Sequence, residues 1–370
     1  MNTTVVVRNC REYDLQDIFS LISDIYKSCE GPEIRNKKVL VKPNILIDSF
    51  PDKCISTHPV VVEAMVRFLQ ANGAIVFVGD SPAGQQKVSR VVKSGILNVC
   101  EKTGAQWVDF LKNPSEIILP GGRIKIASVI NDIDLIISIP KLKNHELVYF
   151  TGAIKNTFGL VPGFSKVQQH AYHRDRNSFS TFLVDLAEAI TPHFYLMDGI
   201  IGMDGQGPAN GTPVETGVLI GSTNPLALDI IASSIAGYNP LKIPTNFIAL
   251  SRGKWLQSEH DIIYNGPEIE SITKKDFKRV PIEDNSIFAL RFVINRLKSV
   301  RRLQRRPVFI HSKCTGCDDC INICPQNAIV MHNSKKNWVV LTDKKCIRCF
   351  CCGEICQSSA IEIRRKFFGN

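Results

Sequence analysis

Short apolar runs rich in β-branched residues recur along residues 1–250, and segments with helical spacing separate several of them. The apolar runs lie at Val5–Val7, Val39–Val41, Ile75–Val78, Leu135–Ile139, Phe194–Met197 and Val218–Ile220. The helical segments lie at Leu15–Cys29, Pro59–Asn72 and Phe179–Ile190. Near-continuous apolar strands that alternate with helices predict an α/β domain with a mostly parallel, doubly wound sheet covered on both faces.

Polar residues follow the predicted strands directly, at the position where open α/β sheets bind ligands. If the strands share one parallel sheet, their polar ends meet at a single cleft. We expect chemistry there from His145, Lys155, Lys42, Asp80, Lys141 and Asp198. A lysine would orient the negative group of a small anionic substrate, and His145 would supply a proton. The alternative for each residue is a structural cap, a turn or a surface charge.

Three further residues, His58, His170 and Asp204, have side chains able to transfer protons or bind a metal. The glycines at positions 202, 205 and 207 do not form the G-x-G-x-x-G motif that opens a helix, since Pro208 interrupts them. This pattern argues against a nicotinamide site. The sequence leaves open whether any organic cofactor binds.

Residues 251–307 are charged, weakly periodic and poor in strand-forming runs, which predicts a linker. Leu290, Ile294 and Leu297 have helical spacing and predict one basic amphipathic helix. Basic residues without an intervening acid surround it, at Arg291, Arg296, Lys298, Arg301, Arg302, Arg305 and Arg306. We favour packing of this helix on the protein over peripheral contact with a membrane. Nucleic acid is the least favoured partner, because interleaved aromatic residues are lacking.

Cysteine is concentrated near the C-terminus, in two runs with the spacing C-x2-C-x2-C-x3-C. The first run is Cys314, Cys317, Cys320 and Cys324, and the second is Cys346, Cys349, Cys352 and Cys356. The runs are offset by 32 residues (346 − 314) and match the pattern that holds two [4Fe–4S] clusters, where each fourth cysteine serves the other cluster. We therefore expect cluster 1 on Cys314, Cys317, Cys320 and Cys356, and cluster 2 on Cys346, Cys349, Cys352 and Cys324.

Zinc is the main alternative for these cysteines, but two complete four-cysteine runs in tandem fit it poorly. The register makes Cys352 the ligand and its neighbour Cys351 a bystander. The second run is followed by Gln357 where the first is followed by Pro325. Because proline has no N–H, Gln357 adds a donor near a cluster sulfur, which tends to raise a reduction potential.

Several short segments together resemble an uncharacterised family, domain of unknown function number 362. They are Lys42–Asn44, Thr57–Pro59, Gly79–Pro82, Pro140–His145, Gly152–Asn156 and Asp198–Gly199. Members of that family are often fused to a two-cluster ferredoxin module. The resemblance implies an α/β domain at residues 1–250 and a small α+β ferredoxin-like domain at 308–370. This chain departs from the family at Gln206, where Asn is usual. The resemblance implies no reaction.

Two functions remain open at this point. In the first, the clusters relay electrons from a protein donor to a redox reaction in the α/β cleft, which makes the chain an oxidoreductase of unknown substrate. In the second, the chain is an electron carrier or adaptor whose α/β domain docks a partner. With 44% hydrophobic and 22% charged residues and no run of 18 uncharged apolar residues, we expect a cytoplasmic protein without a transmembrane helix.

Overall fold

A ten-stranded sheet organises the first part of the chain. The computed structural model describes residues 2–82, 91–282, 305–332 and 338–365. The strands of this sheet are β1 (Thr3–Asn9), β2 (Lys38–Pro43), β3 (Ile75–Asp80), β4 (Gln106–Asp109), β7 (Leu135–Ile139), β8 (Lys141–His145), β9 (Tyr149–Thr151), β10 (Phe194–Gln206), β11 (Asn210–Ser222) and β12 (Ile262–Asn265). A separate hairpin consists of β5 (Ser115–Leu119) and β6 (Gly122–Ile126).

The strand order is β12-β1-β11-β10-β7-β2-β3-β4, and β8 and β9 lie beside β10. Most neighbours run parallel, while β11 is antiparallel to both β1 and β10, and β9 is antiparallel to β8. The predicted α/β fold with a mostly parallel sheet is therefore confirmed. All six predicted strands lie within observed strands.

Helices cover both faces of the sheet, and side-chain caps begin several of them. They are α1 (Leu15–Ser28), α2 (Pro59–Ala71), α3 (Ile96–Thr103), α4 (Ala153–Asn156), α5 (Ser165–Tyr172), α6 (Arg176–Ala189), α7 (Pro225–Ile235), α8 (Pro244–Arg252) and α9 (Ile269–Ile272). The Asp14 carboxylate accepts the first free N–H groups of α1, and the Asn224 amide oxygen does the same for α7.

The two faces of the sheet bury separate apolar clusters. Val5 and Val7 point into one cluster, whereas Val6 between them points into the other. In β2, Leu40 and Val41 divide in the same way. Successive side chains of a strand point to opposite faces of the sheet, so a strand that is apolar throughout exposes apolar side chains on both faces. Both faces therefore need a covering layer of helices.

The C-terminal module consists of two small antiparallel strand pairs and two short helices. The pairs are β13 (Arg306–Phe309) with β16 (Ile361–Arg364), and β14 (Ile329–Met331) with β15 (Val339–Leu341). The helices are α10 (Asp319–Asn322) and α11 (Cys351–Ile355). Left-handed backbone conformations repeat at the 32-residue offset, at Gly316 and Arg348, Asp318 and Phe350, and Asn327 and Ser359. The backbone therefore repeats in the same register as the cysteines.

The module is docked on the α/β domain through both apolar and polar contacts. Apolar side chains of the module belong to the same continuous cluster as one face of the sheet. Arg305 Nη1 lies 2.6 Å from Glu146 Oε2 in a largely buried ion pair. Asn210 Nδ2 donates to the carbonyl oxygens of Gly353 at 3.0 Å and Ile361 at 3.2 Å.

The linker interpretation is wrong for the first part of residues 251–307. Strand β12 lies there and pairs in parallel with β1, so this part belongs to the large sheet. The sequence analysis missed this strand because β12 is a four-residue edge strand whose short run Ile262–Tyr264 lies within a charged stretch. The predicted basic helix around Ile294 lies outside the described residues.

Candidate cluster sites and an interdomain pocket

Two cavities in the C-terminal module are each lined by four cysteines of the expected sets. One cavity of about 380 Å³ is lined by Cys314, Cys317, Cys320 and Cys356. The other, of about 340 Å³, is lined by Cys324, Cys346, Cys349 and Cys352, and also by Cys351. The cysteines are spread around each cavity, and within the described ranges no three Cys, His, Asp or Glu side chains converge on a single-ion position. This donor set fits a four-iron cluster in each cavity.

The fourth cysteines receive hydrogen bonds of similar geometry in the two halves. Ala328 N–H donates to Cys324 Sγ at 3.2 Å, and Ala360 N–H donates to Cys356 Sγ at 3.3 Å. Gln357 is exposed, and its backbone N–H has no described bond to a sulfur. The hydroxyl of Ser358 lies 3.5 Å from Cys356 Sγ instead. The extra polar contact at the second run therefore comes one residue later than predicted.

A third pocket lies between the α/β domain and the module and has a volume of about 600 Å³. On the α/β side its wall comes from the loops after β2 and β3 and from the segment of α4 and α5, with Asp80 and Lys155 among the lining residues. On the module side the wall consists of Ile323, Cys351 and Glu354. Cys351 thus lines both this pocket and the cavity of the second cysteine set.

Lys42 and Asp80 form a buried ion pair beside the pocket, with Lys42 Nζ 3.0 Å from Asp80 Oδ1. The carboxylate also accepts the backbone N–H groups of Ile45 at 2.6 Å and Ser81 at 2.8 Å. Burial lowers the pKa of Lys42, and Asp80 opposes this effect. Residue 159 is glycine because a Cβ there would overlap both charged groups. The loops after β2 and β3 are therefore tied together at the pocket floor.

Lys155 lies on α4, which a buried carboxylate holds in place. Asp229 accepts the N–H groups of Ala153 at 2.6 Å and Ile154 at 3.1 Å, and a Cβ at Gly152 would overlap this carboxylate. Burial lowers the pKa of Lys155, while the carboxylate of Glu354 acts in the opposite direction. The geometry of α4 thus fixes an ammonium group at the pocket wall.

His145 does not line the pocket but lies fully buried behind Glu354. Its Nδ1 accepts the N–H of Leu147 at 3.1 Å, which leaves the ring proton on Nε2. Burial, together with the nearby Lys155, lowers the pKa of His145 to about 3, so the ring is neutral at pH 7. His145 therefore has no face on this pocket, and a direct role for it in catalysis stays a prediction. Strand β8 continues past Pro140 and carries this residue toward the module.

Lys141 and Asp198 form a separate buried pair at 2.7 Å and do not line the pocket. Asp198 also accepts the hydroxyl of Tyr13 at 3.1 Å and the backbone N–H of His58 at 2.9 Å. Tyr13 stacks on His58 with ring centroids 3.6 Å apart. The prediction of one cleft for all six residues is therefore wrong. The pairing of β8 with β10 places Lys141 opposite Asp198, and neither residue lines the interdomain pocket.

Two pocket residues are new relative to the sequence analysis. Glu354 lies between two cysteines of the second run, where nothing in the local pattern distinguishes it from a solvated acid. Lys166 lies on α5, and its Nζ donates to the backbone oxygen of Ser81. Burial lowers the pKa of Lys166 to about 7. Of the other candidates from the sequence, His170 also lines the pocket. Asp204 does not line it, and its carboxylate accepts the backbone N–H of Lys278 at 3.0 Å.

Sequence comparisons match both parts of the chain. A curated relative, a thylakoid-associated protein of Synechocystis sp., is 34% identical over 219 residues, which cover 56% of this chain and 65% of that protein. The ferredoxin-type protein NapH of Haemophilus influenzae is 29% identical over 70 residues, which cover 18% of this chain and 24% of that protein. The chain thus spans less than two thirds of either relative.

Two solved structures resemble part of the fold at low sequence identity. The lactate racemase apoprotein from Thermoanaerobacterium thermosaccharolyticum has a TM-score of 0.38 at 13% identity, with 62% of this chain and 56% of that chain covered. A protein from Thermotoga maritima has a TM-score of 0.35 at 11% identity, with 56% and 55% covered.

The family comparisons are decisive for identity. A profile described as 4Fe-4S dicluster domain matches residues 306–357, so the C-terminal module is a ferredoxin-like module that binds iron–sulfur clusters. No helix in the described ranges is long and apolar enough to cross a bilayer. The profile of the family described as Domain of unknown function (DUF362) matches residues 39–234, about half of the chain. The chain therefore belongs to the DUF362 family and carries a 4Fe-4S dicluster domain at its C-terminus.

Proposed function

We propose that the chain is an iron–sulfur oxidoreductase that delivers electrons from a partner protein to a small molecule bound in the interdomain pocket. The single observation that carries this proposal is the position of Cys351, which lines both the pocket and the cavity of the second cysteine set. A molecule in the pocket would lie one side chain away from that cavity. Such proximity is what transfer of electrons between the two requires.

The proposal assigns two [4Fe–4S] clusters to the two cysteine cavities. Cys314, Cys317, Cys320 and Cys356 would hold one cluster, and Cys346, Cys349, Cys352 and Cys324 would hold the other. Four cysteines around each cavity and the repeated backbone support this assignment. When bound, the clusters supply single electrons.

The pocket residues of the chain have distinct roles in this proposal. Lys155 orients the substrate through its ammonium group, and the Lys42–Asp80 pair holds the loops of the pocket floor. His145 is a positioning residue, because its Nε2 faces the carboxylate of Glu354 rather than the pocket. Ile323 and Glu354 close the module side and limit the access of water to the site. The Lys141–Asp198 pair takes no part.

The partner protein would exchange electrons at the first cavity. Cys317 is exposed, whereas Cys346 and Cys352 of the second set are buried. The exposed rim of the first cavity also supports the second candidate function, a carrier or adaptor that exchanges electrons only with proteins. We place the protein in the cytoplasm, and the thylakoid-associated relative makes membrane association the outcome to test by cell fractionation.

A comparison of re-oxidation rates tests the oxidoreductase proposal. Anaerobic protein would be reduced with dithionite and mixed with a panel of small carboxylic acids, phosphate esters and quinones. Leu46→Trp, a change at a half-buried position of the pocket wall, narrows the pocket without touching a cysteine. Re-oxidation by one acceptor that is at least about tenfold slower in the variant supports the proposal. Equal rates in both proteins with every acceptor overturn it and favour the carrier.

A further inference from the structure

The charged groups around the interdomain pocket differ in whether a partner already satisfies them. Asp80 is fully engaged by Lys42 and by two backbone N–H groups. Lys166 donates to the carbonyl oxygen of Ser81. The carboxylate of Glu354 faces His145. Lys42, Asp80 and Lys166 are therefore hydrogen-bonded within the protein, whereas Glu354 Oε1 has His145 as a neighbour at 3.3 Å but no hydrogen bond among the described residues.

Lys155 is different, because its ammonium group has no acceptor among the described residues. Its Nζ lies 5.9 Å from the ring centroid of Phe158, and the carboxylate of Glu354 acts on it through charge without a hydrogen bond. An ammonium group held at a partly buried wall without an oxygen partner is costly, and an anion in the pocket removes that cost. Lys155 is partly exposed, and the space that it borders is the pocket.

Two further groups in the same wall have unused donor capacity. His170 is 4% exposed, its Nδ1 has no hydrogen-bond partner, and its ring is fixed by stacking on Phe179 at 4.2 Å. The hydroxyl of Ser81 accepts the N–H of Gly163 at 2.9 Å, which leaves its proton free to donate. With Lys155, the wall therefore offers two donors, the Lys155 ammonium and the Ser81 hydroxyl, and a third in the tautomer of His170 that carries its proton on Nδ1, which suits a ligand with acceptor oxygens.

We propose that the interdomain pocket binds a small anion that carries a carboxylate or phosphate group, with this group held by Lys155 and flanked by Ser81 and His170. This inference rests on the proposed function, because it names the class of substrate for the same site. A carboxylate and a phosphate share the required chemistry, and separate probes distinguish them.

The test uses the anaerobic protein with both clusters and two probes, inorganic phosphate and succinate, against chloride at matched ionic strength. Binding is measured by calorimetry in wild type, Lys155→Met, Lys155→Arg and Lys242→Met. Lys242 is an exposed lysine outside the pocket, so its variant controls for the loss of one charge. We expect Lys155→Met to weaken binding by roughly 10- to 100-fold, Lys155→Arg to retain much of it, and Lys242→Met to retain all of it.

A second readout is the reduction potential of each cluster. An anion beside Cys351 disfavours the added electron, so saturation with the bound probe lowers the potential of cluster 2 more than that of cluster 1. Tenfold tighter binding to oxidised than to reduced protein corresponds to about 59 mV for one electron. This shift disappears in Lys155→Met while both clusters remain reducible.

Each outcome separates this inference from the proposed function. Binding of phosphate alone or succinate alone supports the inference and identifies the charged group. Absence of binding above the chloride control, or equal binding in Lys155→Met, overturns it. If an anion binds and shifts the potential of cluster 2 but re-oxidation never depends on the pocket, the inference stands and the proposed function fails. If re-oxidation depends on the pocket but no anion binds, the proposed function stands and the inference fails.

Discussion

Glu354 Oε1 lies 3.3 Å from Nε2 of His145, so a carboxylate of the ferredoxin-like module faces an imidazole of the α/β domain. Although burial raises the pKa of Glu354, its interaction with His145 and the nearby charge of Lys155 outweigh this effect and lower the pKa to about 2. A carboxylate buried without its partner costs several kcal/mol. This contact therefore couples docking of the module to the shape of the pocket.

The first prediction tests that coupling with a double-mutant cycle. His145→Phe leaves the carboxylate without a facing donor and is expected to lower stability by about 3 kcal/mol. The double change His145→Phe with Glu354→Leu should cost less than the sum of the single changes, because no unpaired charge remains. Anaerobic thermal unfolding of the four proteins measures the cycle. Strict additivity of the two changes would show that the contact contributes nothing.

The second prediction concerns cluster ligation. Wild-type protein should contain about eight iron and eight labile sulfide per chain, as expected for two four-iron clusters. Cys356→Ala should damage the cluster on Cys314, Cys317 and Cys320, and Cys324→Ala should damage the other cluster. Iron analysis and electron paramagnetic resonance of reduced protein distinguish the two.

Cys351→Ala provides the matched control for ligation. Cys351 lines the second cavity but is offset by one residue from the repeat that pairs Cys320 with Cys352. We therefore expect the iron content of Cys351→Ala to stay near that of wild type. Loss of a cluster in Cys351→Ala, with iron retained in Cys352→Ala, would mean that the register is wrong. Stoichiometric zinc without sulfide in iron-replete protein would exclude the clusters.

The third prediction concerns acid sensitivity. Burial lowers the pKa of His170 to about 4, so between pH 6.5 and 4 the unfolded chain binds more protons than the folded chain. The contribution of His170 to the free energy of unfolding is therefore fully present above pH 6.5. It decreases as the pH falls, and about 3 kcal/mol of it is lost at pH 4. His170→Phe should make the melting temperature less dependent on pH in this window. An unchanged pH dependence would contradict the prediction.

The fourth prediction concerns Asp229, for which the pH dependence has the opposite sign. Burial raises the pKa of Asp229 to about 7, although the hydrogen bonds from the two N–H groups of α4 lower it. The folded chain therefore binds more protons than the unfolded chain between about pH 4 and 7. The contribution of Asp229 to stability therefore declines as the pH rises through this window. Relative to wild type, Asp229→Asn should become progressively more stable from pH 5 to 8. A constant difference in melting temperature would argue against the raised pKa.

The sequence predicts those features of the fold and site that depend on residues close together in the chain. The strands follow from apolar runs, and the cysteine sets follow from spacing. The proximity of Lys42 and Asp80 also follows from the rule for parallel strand ends, whereas Lys155 is brought to the pocket by α4. The separation of Lys141 depends on how β8 pairs with β10, and the role of Glu354 depends on docking of the module. Both are long-range packing events that leave no trace in the nearby residues.

The last prediction concerns an asymmetry between the two halves of the module. Ser358 Oγ lies 3.5 Å from Cys356 Sγ, whereas its counterpart at the 32-residue offset, Gln326, makes no such contact among the described residues. A hydroxyl that donates to a cluster sulfur favours the reduced state, which carries more negative charge on the sulfur. Ser358→Ala should therefore lower the potential of the cluster that Cys356 serves. One hydrogen bond of about 1 kcal/mol corresponds to a shift of about 40 mV for one electron.

Redox titration followed by electron paramagnetic resonance measures this shift for each cluster separately. Gln357→Ala is the matched control, because it removes an exposed side chain next to Ser358 that lines neither cysteine cavity, and it should leave both potentials within about 10 mV of wild type. Crossed ligation also predicts which of the two clusters is affected. Ser358 follows the second run in sequence, but the affected cluster should be the one on Cys314, Cys317 and Cys320. A shift confined to the other cluster would contradict the assignment of Cys356 and, with it, the crossed arrangement.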